Sequence, residues 1–165
     1  MVILKASDGV VYEVEETVAK MLQMLSPLID DADLENAIPL HNVTGKILGK
    51  VLDYCKKHTE EEAPEDLPEE DDMSHMTKKH AMEKWDAEYV DVDRETLFEI
   101  VLAANYLEIK GLLELTCQKI ADLIKDVSTE EVREVFNIEN DYSEEEEAEM
   151  RNEYPWAYEE EVSQQ

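Results

Sequence analysis

Residues 93–124 read DRETLFEIVLAANYLEIKGLLELTCQKIADLI. This stretch decides the fold. Its pattern predicts a helix, a turn at Lys110-Gly111 and a second helix. Asp93 suits the N-cap, with Glu95 in the first turn where the helix dipole favours negative charge. Gly111 is the expected positive-φ residue at the end of the first helix. That helix carries Leu97, Phe98, Ile100, Val101, Leu102, Ala103, Ala104, Tyr106, Leu107 and Ile109. It is too apolar for one wet face and is expected to be covered on several sides. The rest of the chain, or a partner, must supply that cover.

Upstream, VILKASDGVVYEV (2–14) alternates on both sides of Asp8-Gly9, a strong two-residue hairpin signal. Val18, Met21, Leu22 and Leu25 follow at helical spacing. Ser26-Pro27 resembles an N-cap with proline at the first helical position, and residues 30–36 read as a polar loop. Ala37–Leu40 is a short apolar run whose Pro39 suits an edge strand. Thr44 then opens GKILGKVLDYCKKH, with Ile47, Leu48, Val51, Leu52 and Cys55 as its apolar stripe. Lys56, Lys57 and His58 are expected at its C-terminal end. The order strand, strand, helix, helix, strand, helix defines a small α+β unit.

Residues 59–84 interrupt it with proline, acid runs and few branched apolar residues, the composition of a flexible insertion. Downstream, Ser128-Thr-Glu-Glu131 and Ser143-Glu-Glu-Glu146 are capping-box patterns, each opening a helix. The second helix is nearly all acid. The chain closes on EYPWAYEEEVSQQ.

The net charge is −28 over 165 residues. Residues 59–84 hold 10 acidic and 3 basic residues, and residues 139–165 hold 11 and 1, so these two segments carry −17 of it. Nucleic acid and anionic membrane surfaces are disfavoured as partners, and a basic protein surface is favoured. Cys55 and Cys117 each fall on the apolar side of a helix and are expected to be buried, reduced thiols. No apolar run has the length of a membrane span, and the N-terminus lacks the features of a signal peptide. The expectation is a soluble intracellular protein.

No catalytic constellation is present. There is no Gly-rich phosphate loop or nucleophile elbow, and neither cysteine has a nearby histidine or a CxxC partner. His75 and His80, five apart, would face different sides of a helix. Asp91-Val-Asp93-Arg-Glu95 begins like a calcium loop, but Thr96 stands where glycine is needed, and Phe98 and Ile100 follow where ligands belong. No catalytic residue, metal, cofactor or small-molecule substrate is expected. What stands out is apolar surplus in the last third: Val132, Phe136, Ile138, Tyr154 and Trp156 on short helices. These residues either finish the core or form a groove for an amphipathic helix of another chain, with Trp156 as anchor.

TLFEIVLAANYLEIKGLLELTCQKIADLIK, preceded by WDAEYVDVD and followed by EEVREVFNIENDYSEEEEAEMRNEYPWAYEE, resembles the Skp family of adaptors. SDGVVYEVEE and AIPLHNVTGKILGKVLDYCKKH agree in the same order, so the resemblance covers nearly the whole chain. The style of NAIPLHNVTGKIL and YCKKH is plant-like. The family bridges a cullin scaffold to F-box proteins in SCF ubiquitin ligases, so that substrates are ubiquitinated and degraded. The resemblance implies a BTB/POZ-type α/β fold (α+β) over residues 1–125, cullin-facing, containing the 59–84 insertion. A helical F-box-binding region over residues 93–158 overlaps its end, and 159–165 form an acidic tail. The implied partners are F-box proteins and the cullin N-terminal region, in the cytoplasm and nucleus.

Asn105 and Tyr106 match the family's cullin-contact pair. Val101, Leu113, Ile120, Ile124, Val132, Phe136, Ile138 and Trp156 match positions lining the F-box interface. Three departures stand out. Lys125-Asp-Val-Ser-Thr129 lacks the family's usual Gly and Pro, so Ser128 is the expected cap. The usual Asn-Gln-Trp is Tyr154-Pro155-Trp156, where proline restricts the backbone before the anchor. AKMLQMLSPLI (19–29) is less polar than usual, and Met21 and Met24 are expected to loosen packing. Two other readings remain: a BTB-type interaction module for a non-F-box partner, and an acidic chaperone for basic proteins.

Overall fold

A computed structural model of the chain describes residues 1–31, 36–62 and 72–157. Two strands, β1 (Val2–Ala6) and β2 (Val11–Val14), form an antiparallel hairpin with Leu4 opposite Tyr12. Gly9 takes φ +88° in the turn, where a side chain would be strained. The third strand, β3 (Ile38–Leu40), runs parallel to β1 in the sheet order β2-β1-β3. Pro39 lies in an edge strand, where its missing N–H breaks no ladder.

The helical pattern of residues 16–25 is broken once. Helix α1 (Glu16–Met21) ends at Leu22, whose φ/ψ of −79°/86° leaves the helical region, and a 3₁₀ turn (Gln23–Leu25) leads into α2 (Ser26–Asp31). The remaining helices are α3 (Gly45–Glu62), α4 (Asp72–Tyr89), α5 (Arg94–Tyr106), α6 (Lys110–Ile124), α7 (Thr129–Phe136) and α8 (Glu144–Glu153), followed by a 3₁₀ turn, Pro155–Ala157. The chain divides into two compact units, Met1–Cys117 and Gln118 onward, and the division falls within α6.

The core of the first unit joins Val2, Leu4 and Ala6 of the sheet to Ala19 and Leu22, to Leu48, Val51, Leu52 and Cys55 of α3, and to Ile100, Ala104 and Leu107. Asp8 ties the hairpin to α3. Its carboxylate accepts from Val10 N–H at 3.2 Å and from Gly45 N–H, at the start of α3, at 2.9 Å. Asp93 caps α5 by accepting from Thr96 N–H at 2.9 Å. These backbone bonds to the ionised form hold both carboxyls below the ordinary value of 3.8. Their contribution to stability is therefore complete above about pH 4 and is lost as pH falls through the lowered values. Thermal melts should show Tm flat between pH 7 and about 5 and falling below 4. In an Asp8→Asn, Asp93→Asn double variant that acid fall should be shallower.

Several expectations are corrected. The residues of 59–84 that are described are helical: α3 runs to Glu62, four residues past His58, and α4 already begins at Asp72. Lys56, Lys57 and His58 therefore lie inside α3, not at its end. The two helices meet through rings and one polar bond: Tyr54 of α3 lies 5.7 Å from Tyr89 and 6.4 Å from Trp85 of α4, and His58 Nε2 bonds Asp86 Oδ1 at 2.9 Å. Residues 32–35, 63–71 and the expected acidic tail (159–165) lie outside the described residues.

The turn after α5 is made at Leu107–Ile109, and its positive-φ residue is Glu108 at 57°, not Gly111. Gly111 is already inside α6. A Cβ there would stand 3.0 Å from Tyr54 Oη, so close approach of α3 explains the glycine. Cys117 is exposed, whereas Cys55 is buried and its thiol is pushed up to about 12 by desolvation. On α6 the core-facing residues are Leu112 and Thr116, four apart, and Cys117 is rotated about 100° from Thr116. On α5, Leu102 is 68% exposed, so part of this apolar helix is left open, one of the two outcomes expected of it. Met21 and Met24, expected to loosen packing, both pack against the core, and Met21 Sδ accepts from the Thr59 hydroxyl at 2.9 Å.

Candidate functional site: two open protein-binding surfaces

On α5, Asn105 is exposed and Tyr106 is partly buried, packing against the core. The helix period places Leu102 one turn before them, so Leu102 and Asn105 share an outward face. Sequence reading missed Leu102 because it sits in an unbroken apolar run, where periodicity cannot separate inside from outside. Val101 and Leu113 are each partly exposed. Leu113 leans on the core from the start of α6.

The second unit is built differently. Helix α7 starts in the expected capping box: Ser128 Oγ accepts from Glu131 N–H at 3.3 Å, and Glu131 Oε2 accepts from Ser128 N–H at 2.8 Å. Helix α8 repeats it with Ser143 and Glu146, whose carboxyl is held low by the Ser143 backbone and side-chain bonds. Asn137 ends α7 in the left-handed region at φ 52°, which lets Ile138 N–H donate back to Arg133 O at 2.8 Å.

No residue described between Gln118 and Ala157 is buried. Ile120 and Ile124, one turn apart on α6, and Val132 on α7 are half-buried. Phe136 is exposed, Ile138 is 56% exposed and Trp156 is 74% exposed. Leu123, Val127, Tyr142 and Tyr154 are also exposed. None of these apolar side chains is fully buried, so they leave an open apolar surface in place of a finished core. Its charge is predominantly negative: residues 118–157 hold 13 acidic and 4 basic residues.

Among the described residues, no group of His, Cys, Asp and Glu could hold a metal ion, and no helix is long and apolar enough to cross a membrane. The fold and its open apolar surface define a BTB/POZ-like protein-interaction unit carrying C-terminal helices. Residues 1–60 match the tetramerisation domain of the Skp1 family, and residues 110–157 match its dimerisation domain. The chain is 50% identical over 159 residues to SKP1-like protein 3 of Arabidopsis thaliana, covering 96% of each. It is 49% identical to SKP1-like protein 4 over 96% of each chain. With SKP1-like protein 1A of the same plant it shares 48%, over 96% of this chain and 97% of the relative. The chain belongs to the Skp1 family. It is a plant-like member of these SCF adaptors, whose family role is to link F-box proteins to a cullin.

Proposed function

We propose that this chain is a non-catalytic adaptor that holds an F-box protein on its C-terminal helices and a cullin N-terminal region on α5. The observation that carries the reading is the absence of any buried residue between 118 and 157, where five expected F-box contacts lie alongside Trp156 and its neighbours. No described side chain on these helices is fully buried, so burial against a partner adds to their stability. Val101, Leu113, Ile120, Ile124, Val132, Phe136, Ile138 and Trp156 form the F-box side. Asn105 and Tyr106 form the cullin side, with Leu102 added as an apolar contact. The reading carries with it a cytoplasmic and nuclear location.

Replacing Asn105 and Tyr106 together by Lys places two cations on the α5 face. Binding of a cullin N-terminal fragment should be lost, while affinity for an F-box domain stays within twofold. Calorimetric titration with each partner separately reads both numbers. Equal loss of both partners would mean that Tyr106, which packs against the core, had unfolded the chain.

A further inference from the structure

Glu108 is held in a backbone conformation that its side chain disfavours. Its φ of 57° puts it in the left-handed region at the end of α5. Ile109 N–H donates back to Ala104 O at 2.9 Å, and Glu108 N–H donates to Asn105 O at 3.2 Å. This closure makes residue 108 the position that glycine or asparagine commonly fills. The chain follows that preference after α7, where Asn137 takes φ 52°. After α5 it does not.

The neighbours leave the backbone no other choice. Leu107 is fully buried and Ile109 is 3% exposed, so both are anchored in the core. Leu107 O also accepts from Met24 N–H at 3.5 Å. Glu108 stands between them with its side chain exposed. Its charge is misplaced as well, because a carboxylate at a helix C-terminus opposes the partial negative charge of the last carbonyls. Glycine would remove both costs. Among the described residues, no hydrogen bond and no ion pair to the Glu108 carboxylate offsets them. A disfavoured residue fixed by its surroundings and unrewarded within the fold points to a role outside it. Asn105 and Tyr106, the proposed cullin pair, lie at the same end of α5.

We propose that the Glu108 carboxylate receives a Lys or Arg side chain of the cullin N-terminal region. The inference rests on the adaptor reading and adds a charged contact to the face that carries Leu102 and Asn105. A chain of net charge −28 favours a basic partner surface in general. A carboxylate on a pinned turn gives one of those cations a fixed place, which sets the register of docking on α5.

The test uses the full chain, a cullin N-terminal fragment and an F-box domain, with dissociation constants measured at low and high salt. Glu108→Gly relieves the backbone and removes the charge. It should raise Tm by about 3 °C, weaken cullin binding about fivefold or more and flatten its salt dependence, with F-box binding unchanged. Glu108→Gln keeps the backbone strained and should weaken cullin binding equally. Glu13→Gln removes the same charge from β2 and should leave cullin binding within about twofold. If Glu13→Gln and Glu108→Gln act alike, the general field is responsible and the proposal falls. If Glu108→Gln binds the cullin fragment as the unaltered chain does, the carboxylate makes no contact, and the proposal is overturned while the adaptor reading stands. A Glu108→Gly chain that loses both partners together has a damaged fold, which also overturns the proposal. If the unaltered chain does not bind the cullin fragment, both readings are overturned.

Discussion

Trp156→Ala should weaken F-box binding about thirtyfold, near 2 kcal/mol, and leave the melting temperature unchanged. The indole is 74% exposed in the free chain, so its own fold gains little from it. A tryptophan can bury roughly 200 Å². Three-quarters of that area, at about 25 cal/mol per Å², is worth near 4 kcal/mol when a partner covers it. Ordering the short turn at Pro155–Ala157 and the side chain offsets part of this, which leaves about 2 kcal/mol as the net effect. Pro155 lowers that offset, because its φ is fixed before binding. An Ala at Trp156 that binds the F-box domain as tightly as before would remove this residue from the interface.

Leu48→Ala should do the opposite. Leu48 is completely buried in the first unit, whose sheet, α1, α3 and α5 pack together. Truncation removes three side-chain carbons and leaves a cavity, with an expected cost of about 3 kcal/mol. Domain stabilities are typically about 5–15 kcal/mol, so this is a large fraction. Urea denaturation should show a lower midpoint with an unchanged slope. Cullin and F-box binding should fall together, and only as far as the folded fraction falls. Two variants, one sparing stability and losing one partner, the other sparing interfaces and losing stability, separate the surface from its scaffold.

Local signals in the sequence were reliable where they act within a few residues. Asp8-Gly9 makes the hairpin, Asp93 caps α5, and both Ser-x-x-Glu boxes close as written. The Pro39 edge strand follows from one missing donor. What sequence reading missed depends on distant partners. Asp8 serves a second role through a bond to Gly45, 37 residues away. Gly111 is needed because of Tyr54, and no local pattern announces that approach.

The described part of the 59–84 stretch is the clearest case. Glu, Lys, Met and Ala favour helix by propensity, but the residues carry no apolar stripe, so they read as an excursion. The cover for α4 comes from Tyr54 and His58 of α3 meeting Trp85, Asp86 and Tyr89. Tyr89 also donates to Lys50 O at 2.8 Å, and burial pushes its hydroxyl up.

The interaction surfaces were legible in part. The surplus of apolar residues after Lys125 is visible from the sequence, but composition leaves open whether it completes a core. The structure separates these cases for the free chain, since Phe136, Ile138 and Trp156 are all exposed. Leu102 was hidden for the converse reason: in a run of apolar residues, only packing tells which one faces out.

The central claim is that one chain carries two protein partners at once, on separate surfaces. Light scattering on a size-exclusion column, run with the chain, an F-box domain and a cullin N-terminal fragment together, tests it most directly. The account predicts a single 1:1:1 species, and mixtures lacking the chain should show no association of the other two. Displacement of the F-box domain by the cullin fragment, or a complex of those two that forms without this chain, would contradict it.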